Sequence, residues 1–542
     1  MMQFEKRPTD KSIPEWMSSM EPREAVMTFE QMLGAPEDTQ RMVLQDILKH
    51  AEHSRWGQKY HFSDIHCAED YCKAVPVTEY EQYKEVIPEL LDGAKDVLYD
   101  GETVMFLATS GSTGIPKYIP ESRHGSLAKN LVVSLRSTYT FQMIRDLLFP
   151  GAKIFAIYNP AEYEKTKSGI PIGSASGQAS ADSDGNGQDM YVLPPEFMKL
   201  SDLSSEDRDY ITILFAAATR DIVGVVCNNP GHFEILIKRL NQNVERLAAD
   251  LKAGTISVEM DEVIRRKLEE RLGKHTERAK ELLELLETKQ ELTVQDLWPR
   301  LKAMSCWTSG SVGRALADTK KILPDDTVFI DWGYGASEGK FNIPKEINTP
   351  AGAAASFGYF LEFRPLDGSK TLCLWETEDG KEYELIVTSY SGFYRYCIHD
   401  IVKIDGKNTN TPRMVFQCKR SDCMERDGKV LLSNQLTALI EDYEKRFHTA
   451  IRHFELYAPK NGSVILAAEP AKELDAASFA DEIRGGLKTQ YGVTVDEIWM
   501  MKDGYRDSLY TRNVKTGKSV NQTKLVVFTD KMPDQNYRTG IY

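Results

Sequence analysis

A short apolar strand at residues 104–108 runs directly into a turn with the sequence TSGSTGIPK, residues 109–117. Its two glycines can adopt backbone conformations that other residues avoid, which lets backbone N–H groups approach an anion closely. Three hydroxyl side chains add hydrogen-bond donors, and the lysine adds a positive charge. The spacing differs from that of the P-loop. The turn therefore predicts another kind of polyphosphate cradle, built from Ser110, Gly111, Ser112, Thr113, Gly114 and Lys117.

Composition limits the classes to which the chain can belong. Its 542 residues give a prior of about three to four domains, or fewer large ones. Hydrophobic residues make up 41% and charged residues 27%, which supports a sizeable core and excludes wholesale disorder. The formal net charge of −14 disfavours a general nucleic-acid binder, because an acidic chain repels a phosphate backbone. A local basic pocket for one small anion is compatible with this charge.

The N-terminus and the cysteines predict a cytoplasmic protein. The first twenty residues lack the apolar core of a signal peptide. The most apolar stretch, residues 211–227, is interrupted by Arg220 and Asp221, whereas a membrane span needs about 20 apolar residues. The eight cysteines are scattered, which is typical of reduced thiols. We therefore expect neither a membrane nor a nucleic acid as partner.

Strands and helices alternate through the first three quarters of the chain. Apolar runs at residues 153–157, 222–226 and 327–331 read as strands with helical patterns between them, which indicates α/β layering. Residues 14–52 have helical periodicity. Residues 258–288 read as an amphipathic helical hairpin broken at Gly273.

The last part of the chain reads as a separate small domain. Two apolar runs flank a hairpin signal at residues 459–462, and a helix and further strands follow, in an α+β order. The polar stretch 418–428 is the best boundary candidate. The predicted division is a large N-terminal domain at residues 1–425 and a mobile C-terminal domain at residues 426–542.

Two further motifs carry suitable chemistry for a nucleotide. Residues 331–339, DWGYGASEG, follow an apolar strand and offer an aromatic ring for a purine, a hydroxyl for a phosphate and a carboxylate for Mg²⁺. Residues 392–402 end a strand region with Asp400, whose carboxylate can accept two hydrogen bonds from vicinal ribose hydroxyls. Together with the turn at 109–117, they predict one ATP site.

Residues 109–117 strongly resemble the phosphate-binding loop of adenylate-forming enzymes. Other stretches resemble the GH3 branch of that superfamily, the acyl acid amido synthetases. These stretches are residues 75–81 with Ile87, 297–301, 308–311 and 519–524. The resemblance extends from about Glu15 to Lys524.

The resemblance implies roles for single residues of the nucleotide site. Tyr334 would lie by the adenine, Ser337 near the α-phosphate or acyl group, and Glu338 at the metal. Asp400 matches the ribose-binding aspartate. The preceding residue is His399, where the family usually has glycine, so a side chain there could crowd the ribose.

Four more residues are matched less specifically. Arg420 and Asp422 resemble an inter-domain R-x-D motif, with Arg420 at ribose or phosphate and Asp422 as pivot. Lys524 matches the C-terminal lysine that moves in during adenylation and neutralises charge at the α-phosphate. Arg136 lies where some members bind a carboxylate, although a helix-face arginine covering apolar surface is the simpler interpretation.

The resemblance implies the fold and the reaction. The fold would be α/β: a large N-terminal adenylate-forming domain with a β-barrel-like subdomain, and a small α+β cap. ATP and Mg²⁺ would activate a small carboxylic acid as its adenylate, with Lys524 and Glu338 as catalytic residues. An amino acid or another amine would then accept the acyl group to give an amide. The enzyme is expected to be a monomer.

Two alternatives remain open at this stage. An acyl-CoA synthetase would pass the acyl group to a thiol, but only Asp427-Gly428 suggests the glycine-rich hinge usual in such enzymes. A nucleotide-binding protein without catalysis is supported only by the unusual His399.

Overall fold

The computed structural model describes residues 8, 10–109, 117–157, 162–173, 188–198, 200, 203–426, 428–459, 461–509 and 527–542. Its helices before the central sheet are α1 Ile13–Ser18, α2 Pro22–Gly34, α3 Pro36–Lys49, α4 Arg55–Lys59, α5 Ala68–Ala74, α6 Ile87–Leu91 and α7 Arg123–Met143. The next group is α8 Pro195–Met198, α9 Ser205–Ala218, α10 Pro230–Gln242, α11 Val244–Ala253, α12 Glu262–Leu272, α13 Thr276–Thr288, α14 Val294–Leu297 and α15 Gly313–Ile322. The last two are α16 Ser433–Phe447 and α17 Ala476–Tyr491.

The strands of the N-terminal region fall into a mixed sheet and a parallel sheet. The mixed sheet has the order β2-β1-β5-β4, and the parallel sheet has the order β3-β6-β7-β8. Every residue of β6 is buried, as expected for a parallel strand covered on both faces. The bounds are β1 Met105–Thr109, β2 Lys117–Glu121, β3 Lys153–Ile157, β4 Glu162–Lys165, β5 Pro171–Gly173, β6 Ile222–Cys227, β7 Ala303–Cys306 and β8 Val328–Asp331.

A seven-stranded antiparallel sheet follows, in the order β12-β11-β13-β14-β15-β10-β9. It agrees with the expectation of a β-barrel-like or sheet subdomain in the large N-terminal region. Its strands are β9 Asn342–Pro344, β10 Gly352–Ala354, β11 Tyr359–Pro365, β12 Leu372–Cys373, β13 Glu382–Ser389, β14 Tyr396–Asn408 and β15 Thr411–Lys419. Its side chains share one core with α1 to α7.

The C-terminal region has its own sheet and its own core. A hairpin, β16 with β17, connects to α16, and α16 and α17 pack against a five-stranded sheet of order β21-β18-β19-β20-β22. The strands are β16 Cys423–Arg426, β17 Lys429–Leu432, β18 Ile451–Tyr457, β19 Ile465–Pro470, β20 Glu497–Met501, β21 Phe528–Thr529 and β22 Arg538–Ile541.

The structure confirms the predicted fold class, a large mixed α/β region followed by a smaller region with a sheet of its own. Residues 14–52 form three helices, and the three predicted core strands all lie in the parallel sheet, where β7 separates the last of them from the other two. The helices at residues 258–288 are present, with Gly273 at φ +68° between them. The prediction of a helical hairpin was incomplete, because a hairpin implies that the two helices pack on each other. Instead α13 packs mainly along α11, and α12 packs against α8. None of the helices in the described ranges combines the length and apolarity that a bilayer crossing demands.

Candidate active site

The predicted phosphate cradle connects two antiparallel strands. Thr109 at the end of β1 lies opposite Lys117 at the start of β2, so the two ends of the turn are held together. Ser110, Gly111, Ser112, Thr113 and Gly114 themselves lie outside the described residues. The Lys117 ammonium lies 5.1 Å from the centre of the Tyr80 ring. The Tyr80 hydroxyl accepts a hydrogen bond from the Tyr118 N–H at 3.0 Å and so anchors the start of β2.

Tyr334, Asp400 and Lys419 form a hydrogen-bonded group that joins three of the predicted motifs. The Tyr334 hydroxyl donates to Asp400 Oδ2 at 2.8 Å, and Lys419 Nζ donates to Oδ1 at 2.6 Å. Asp400 and Lys419 are direct partners across β14 and β15. Burial and the Asp400 charge raise the pKa of Tyr334 well above its usual value. Both carboxylate oxygens of the predicted ribose ligand therefore have protein donors.

The ring of Tyr334 lies between two other aromatic rings. Phe416 stacks on it at 5.2 Å between centroids with an interplanar angle of 16°, and Phe341 lies at 5.3 Å and 46°. A purine can therefore stack on that face of Tyr334 only if Phe416 moves. Gly310 packs closely against the Phe416 ring, because a Cβ on Gly310 would lie 2.6 Å from Phe416 Cε1.

The charge of Glu338 acts on residues of several separate motifs. Burial is the main reason that the pKa values of Tyr80, Tyr334 and Tyr396 are raised, and the negative charge of Glu338 contributes to each rise. The same charge helps to raise the pKa of Lys419, although burial of Lys419 acts in the opposite direction. The half-buried Glu338 carboxylate thus acts electrostatically on Tyr80, Tyr334 and Lys419.

Helix α7 holds the loop that carries Tyr334, Ser337 and Glu338. Lys129 and Arg136 are seven residues apart on α7, so they project from the same face two turns apart. Lys129 Nζ donates to the Ser337 carbonyl and pairs with the fully buried Glu121. Two buried cations of one helix thus contact the backbone of this loop.

Arg136 makes the second of these contacts. Its guanidinium donates to the Tyr334 carbonyl at 2.7 Å and to the Asn342 carbonyl at 2.7 and 2.9 Å. Burial lowers its pKa to about 10. Gly333 (φ +85°) gives it room, because a Cβ there would lie 2.4 Å from Arg136 Cζ. Arg136 is only 4% exposed, so the interpretation as a cover for apolar surface was wrong, and its donors point to loop carbonyls.

His399 adopts the left-handed backbone conformation, at φ +57°. This conformation favours glycine, which explains why glycine is the usual residue at this position of the motif. The imidazole is directed toward Glu384, with Nδ1 2.9 Å from its Oε1, and not toward Asp400. The expected crowding of the ribose site by this side chain is therefore not seen.

The inter-domain residues have local partners. Arg420 is half-buried and forms an ion pair with Glu425. Asp422 lies in the same short helical turn, Arg420–Asp422. The thiols of Cys418 and Cys423 flank this turn with 3.5 Å between the sulfur atoms. Lys524 lies outside the described residues.

Sequence reasoning missed Lys129, Lys419 and Phe416. The seven-residue spacing from Lys129 to Arg136 was a usable signal for a shared helix face. Lys419 and Phe416 gave no such signal, because their partners Asp400 and Tyr334 are set by strand register and not by local spacing.

Family models match two blocks of this chain. The GH3 family N-terminal domain matches residues 25–328, and the GH3 family central domain matches residues 353–419. The chain belongs to the GH3 family. The first block contains the turn at 109–117, and the second contains Asp400 and Lys419, so the predicted nucleotide site spans both GH3 domains.

Full-length relatives support the same assignment. The chain is 22% identical to jasmonoyl–L-amino acid synthetase JAR4 of Nicotiana attenuata, over 95% of each chain. It is 24% identical to indole-3-acetic acid-amido synthetase GH3.4 of Arabidopsis thaliana, over 84% of this chain and 76% of that one. The structure of AtGH3.15 acyl acid amido synthetase in complex with 2,4-DB superimposes with a TM-score of 0.78 at 17% identity, covering 97% of this chain and 98% of that one. The GH3 fold therefore extends through the C-terminal region.

Proposed function

We propose that this GH3 protein is an ATP-dependent, AMP-forming ligase that joins a carboxylic acid to an amino acid through an amide bond. In the first half-reaction the carboxylate attacks the α-phosphorus of ATP, and pyrophosphate leaves. In the second, the amine of the amino acid attacks the acyl-adenylate and AMP leaves. The support for the acids and amines as substrates comes from the names of the full-length relatives, which are acid–amino acid synthetases.

The observation that carries the proposal is the set of contacts that joins residues distant in sequence. The Lys117 ammonium lies against the Tyr80 ring, and Tyr334 and Lys419 both donate hydrogen bonds to Asp400. These are the groups that a nucleotide needs: a cation beside the phosphate turn, and a carboxylate for ribose hydroxyls. A catalyst of this type works mainly by positioning and charge stabilisation, so it needs no covalent enzyme intermediate.

The proposed roles follow from these positions. Lys117 and the turn at 110–116 bind the β- and γ-phosphates, Asp400 and Arg420 bind the ribose side, and Tyr334 and Ser337 border the adenine and the α-phosphate. Glu338 would hold Mg²⁺, which would neutralise phosphate charge. Lys524 serves as the catalytic lysine of the C-terminal domain.

We also propose the division into domains at residues 1–425 and 426–542, with rotation about residues 420–422 between the half-reactions. The eight free thiols agree with a cytoplasmic enzyme. We further propose that the enzyme is a monomer and that it binds neither nucleic acid nor membrane.

Exchange of labelled pyrophosphate into ATP, measured over a panel of carboxylic acids, tests the first half-reaction. We expect exchange that depends on the acid, and at least tenfold less of it in Glu338→Gln and Lys117→Met. The matched control is Glu378→Gln, which changes an exposed glutamate. Absence of exchange with every acid would overturn the proposal.

Product analysis tests the second half-reaction. The enzyme is supplied with ATP, an accepted acid and either an amino acid mixture or coenzyme A, and the products are identified by mass. We expect an N-acyl amino acid. An acyl thioester as the only product would show an acyl-CoA synthetase instead.

A further inference from the structure

Three potential metal ligands meet on β13 and β14, next to the nucleotide site but outside its hydrogen bonds. They are Glu384, Cys397 and His399, and their ligand atoms all lie within 4.8 Å of one another. His399 Nδ1 lies 2.9 Å from Glu384 Oε1 and 3.5 Å from Cys397 Sγ. The register shift between Glu384 and Ile386 moves the carboxylate to this position. The nucleotide mechanism proposed above uses none of the three.

The chemistry of the three donors selects a borderline transition metal. Carboxylate oxygen, thiolate sulfur and imidazole nitrogen are the ligands of zinc, whereas Mg²⁺ and Ca²⁺ prefer oxygen alone. With usual bond lengths and tetrahedral angles at zinc, a nitrogen and a sulfur ligand lie about 3.5 Å apart. The observed distance from Nδ1 to Sγ has this value, whereas Nδ1 and Glu384 Oε1, at 2.9 Å, would have to separate to about 3.4 Å around an ion.

The groups around the three ligands form a suitable outer shell. Arg364 donates to Oε2 of Glu384 from Nε and Nη2, at 3.0 and 2.6 Å, while Oε1 faces His399 Nδ1 at 2.9 Å, a contact that a metal would replace. Its Nη2 also lies 3.3 Å from the Cys397 sulfur. On the far side of the imidazole, Glu79 Oε1 lies 3.6 Å from His399 Nε2. A carboxylate at the second nitrogen is the usual partner of a metal-binding histidine, because it fixes the ring orientation.

The formal charges of this group agree with a divalent cation. Two glutamates and a thiolate supply three negative charges, and Arg364 supplies one positive charge. A divalent ion makes the whole group neutral. Glu384 and Cys397 are buried, while the His399 side chain is 44% exposed, so an ion and one water can enter from the imidazole side.

We propose that Glu384, Cys397 and His399 bind one zinc ion, with a water molecule as the fourth ligand, with Arg364 as the hydrogen-bonding partner of Glu384 and with Glu79 as the ion-pair partner of His399. The site holds β13 and β14 together one residue before Asp400. Its function is separate from the Mg²⁺ proposed at Glu338, so either proposal can fail without the other.

Cobalt titration of the full-length chain tests this site without any activity assay. The protein is first treated with a chelator under reducing conditions and then titrated with Co²⁺. We expect a cobalt–thiolate charge-transfer band and tetrahedral visible bands that saturate at one equivalent, and we expect one equivalent of Zn²⁺ to remove them. Absence of a thiolate band at one equivalent would overturn the proposal.

Variants locate the ion. Cys397→Ser should abolish the charge-transfer band. His399→Gly should weaken cobalt binding at least tenfold, and glycine fits the left-handed conformation at this position, so the fold is retained. His448→Gly is the matched control, because His448 is exposed and also left-handed, at φ +51°. It should bind cobalt as the unmodified protein does.

The thiol pair Cys418 and Cys423 is the competing location, since its sulfur atoms lie 3.5 Å apart. Cys423→Ser should leave the cobalt spectrum unchanged. A band that disappears in Cys423→Ser but survives Cys397→Ser would place the ion at the other pair and overturn the proposal. Circular dichroism of each variant confirms that the comparison is made between folded proteins.

Discussion

The hydroxyl of Tyr334 donates a 2.8 Å hydrogen bond to the carboxylate of Asp400, 66 positions later in the chain. This bond joins the loop after the parallel sheet to a central strand of the antiparallel sheet. Two motifs that are separate in the sequence therefore share one buried polar contact, and the proposed nucleotide site depends on both sheets.

Tyr334→Phe removes this bond and leaves Oδ2 of Asp400 without that donor. In the proposed function the bond holds the Asp400 carboxylate in place for the ribose hydroxyls, so we expect the KM for ATP in pyrophosphate exchange to rise about tenfold, the equivalent of about 1.4 kcal/mol. The control is Tyr210→Phe, which removes another buried bond to an aspartate, from Tyr210 to Asp250 at 2.7 Å. That variant should lose stability but keep the KM for ATP. Equal KM values in all three proteins would contradict the role of the Tyr334–Asp400 contact.

Arg136→Met should destabilise the protein by several kcal/mol. It leaves the buried carbonyls of Tyr334 and Asn342 without the guanidinium donors, and each unsatisfied group costs about 1–3 kcal/mol. Urea unfolding measures the change. Arg123→Met on the same helix is the control, because its ion pair with Glu15 is exposed and such pairs contribute about 0–1 kcal/mol. A similar small effect of both changes would show that the Arg136 contacts do not stabilise the fold.

Gly333→Ala should be far more harmful than an alanine at another left-handed glycine. The new Cβ would lie 2.4 Å from Arg136 Cζ, so overlap adds about 1–3 kcal/mol to the backbone strain. Gly368 has φ +77° and no neighbouring atom within 4 Å, so Gly368→Ala carries only the strain, about 1 kcal/mol. Thermal unfolding of the two variants compares the effects. Equal melting temperatures would contradict this prediction, because they would show that Arg136 moves away from the methyl group without loss of stability.

Lys340 introduces a pH dependence of stability. Burial, together with the positive charges of Arg136 and Lys129, lowers its pKa from 10.5 to about 7, while the nearby Glu121 acts in the opposite direction. Between pH 7 and pH 10.5 Lys340 is protonated in the unfolded chain but not in the folded chain. Lys340 therefore destabilises the fold fully below pH 7, and this destabilisation disappears as the pH rises through 10.5. Lys340→Met should therefore raise the urea midpoint at pH 7, and its advantage should shrink toward pH 10.

The control for this change is the exposed Lys381, whose replacement by methionine should shift the urea midpoint little at any pH. A stabilisation by Lys340→Met that stays constant from pH 7 to pH 10 would contradict the lowered pKa of Lys340.

Local patterns were sufficient to predict the elements and the motifs of the site. The turn at 109–117, the strand before Tyr334 and the aspartate at 400 each have a signature within ten residues. The contacts between them were not predictable, because Lys129 reaches the Ser337 carbonyl over 208 positions and Lys419 reaches Asp400 through strand register. Helix α16 was missed although Leu436, Leu439, Ile440 and Tyr443 show helical spacing. Its position next to a polar boundary segment concealed that pattern.

Lys419 is the last residue of β15, and the turn Arg420–Asp422 begins at the next peptide bond. In the proposed function, a ribose that took the place of Lys419 at Asp400 would remove the ion pair at the end of β15, where the chain departs toward the C-terminal region. Nucleotide affinity and the orientation of that region are then thermodynamically linked. If nucleotide binding stabilises one orientation by a given free energy, that orientation strengthens nucleotide binding by the same free energy.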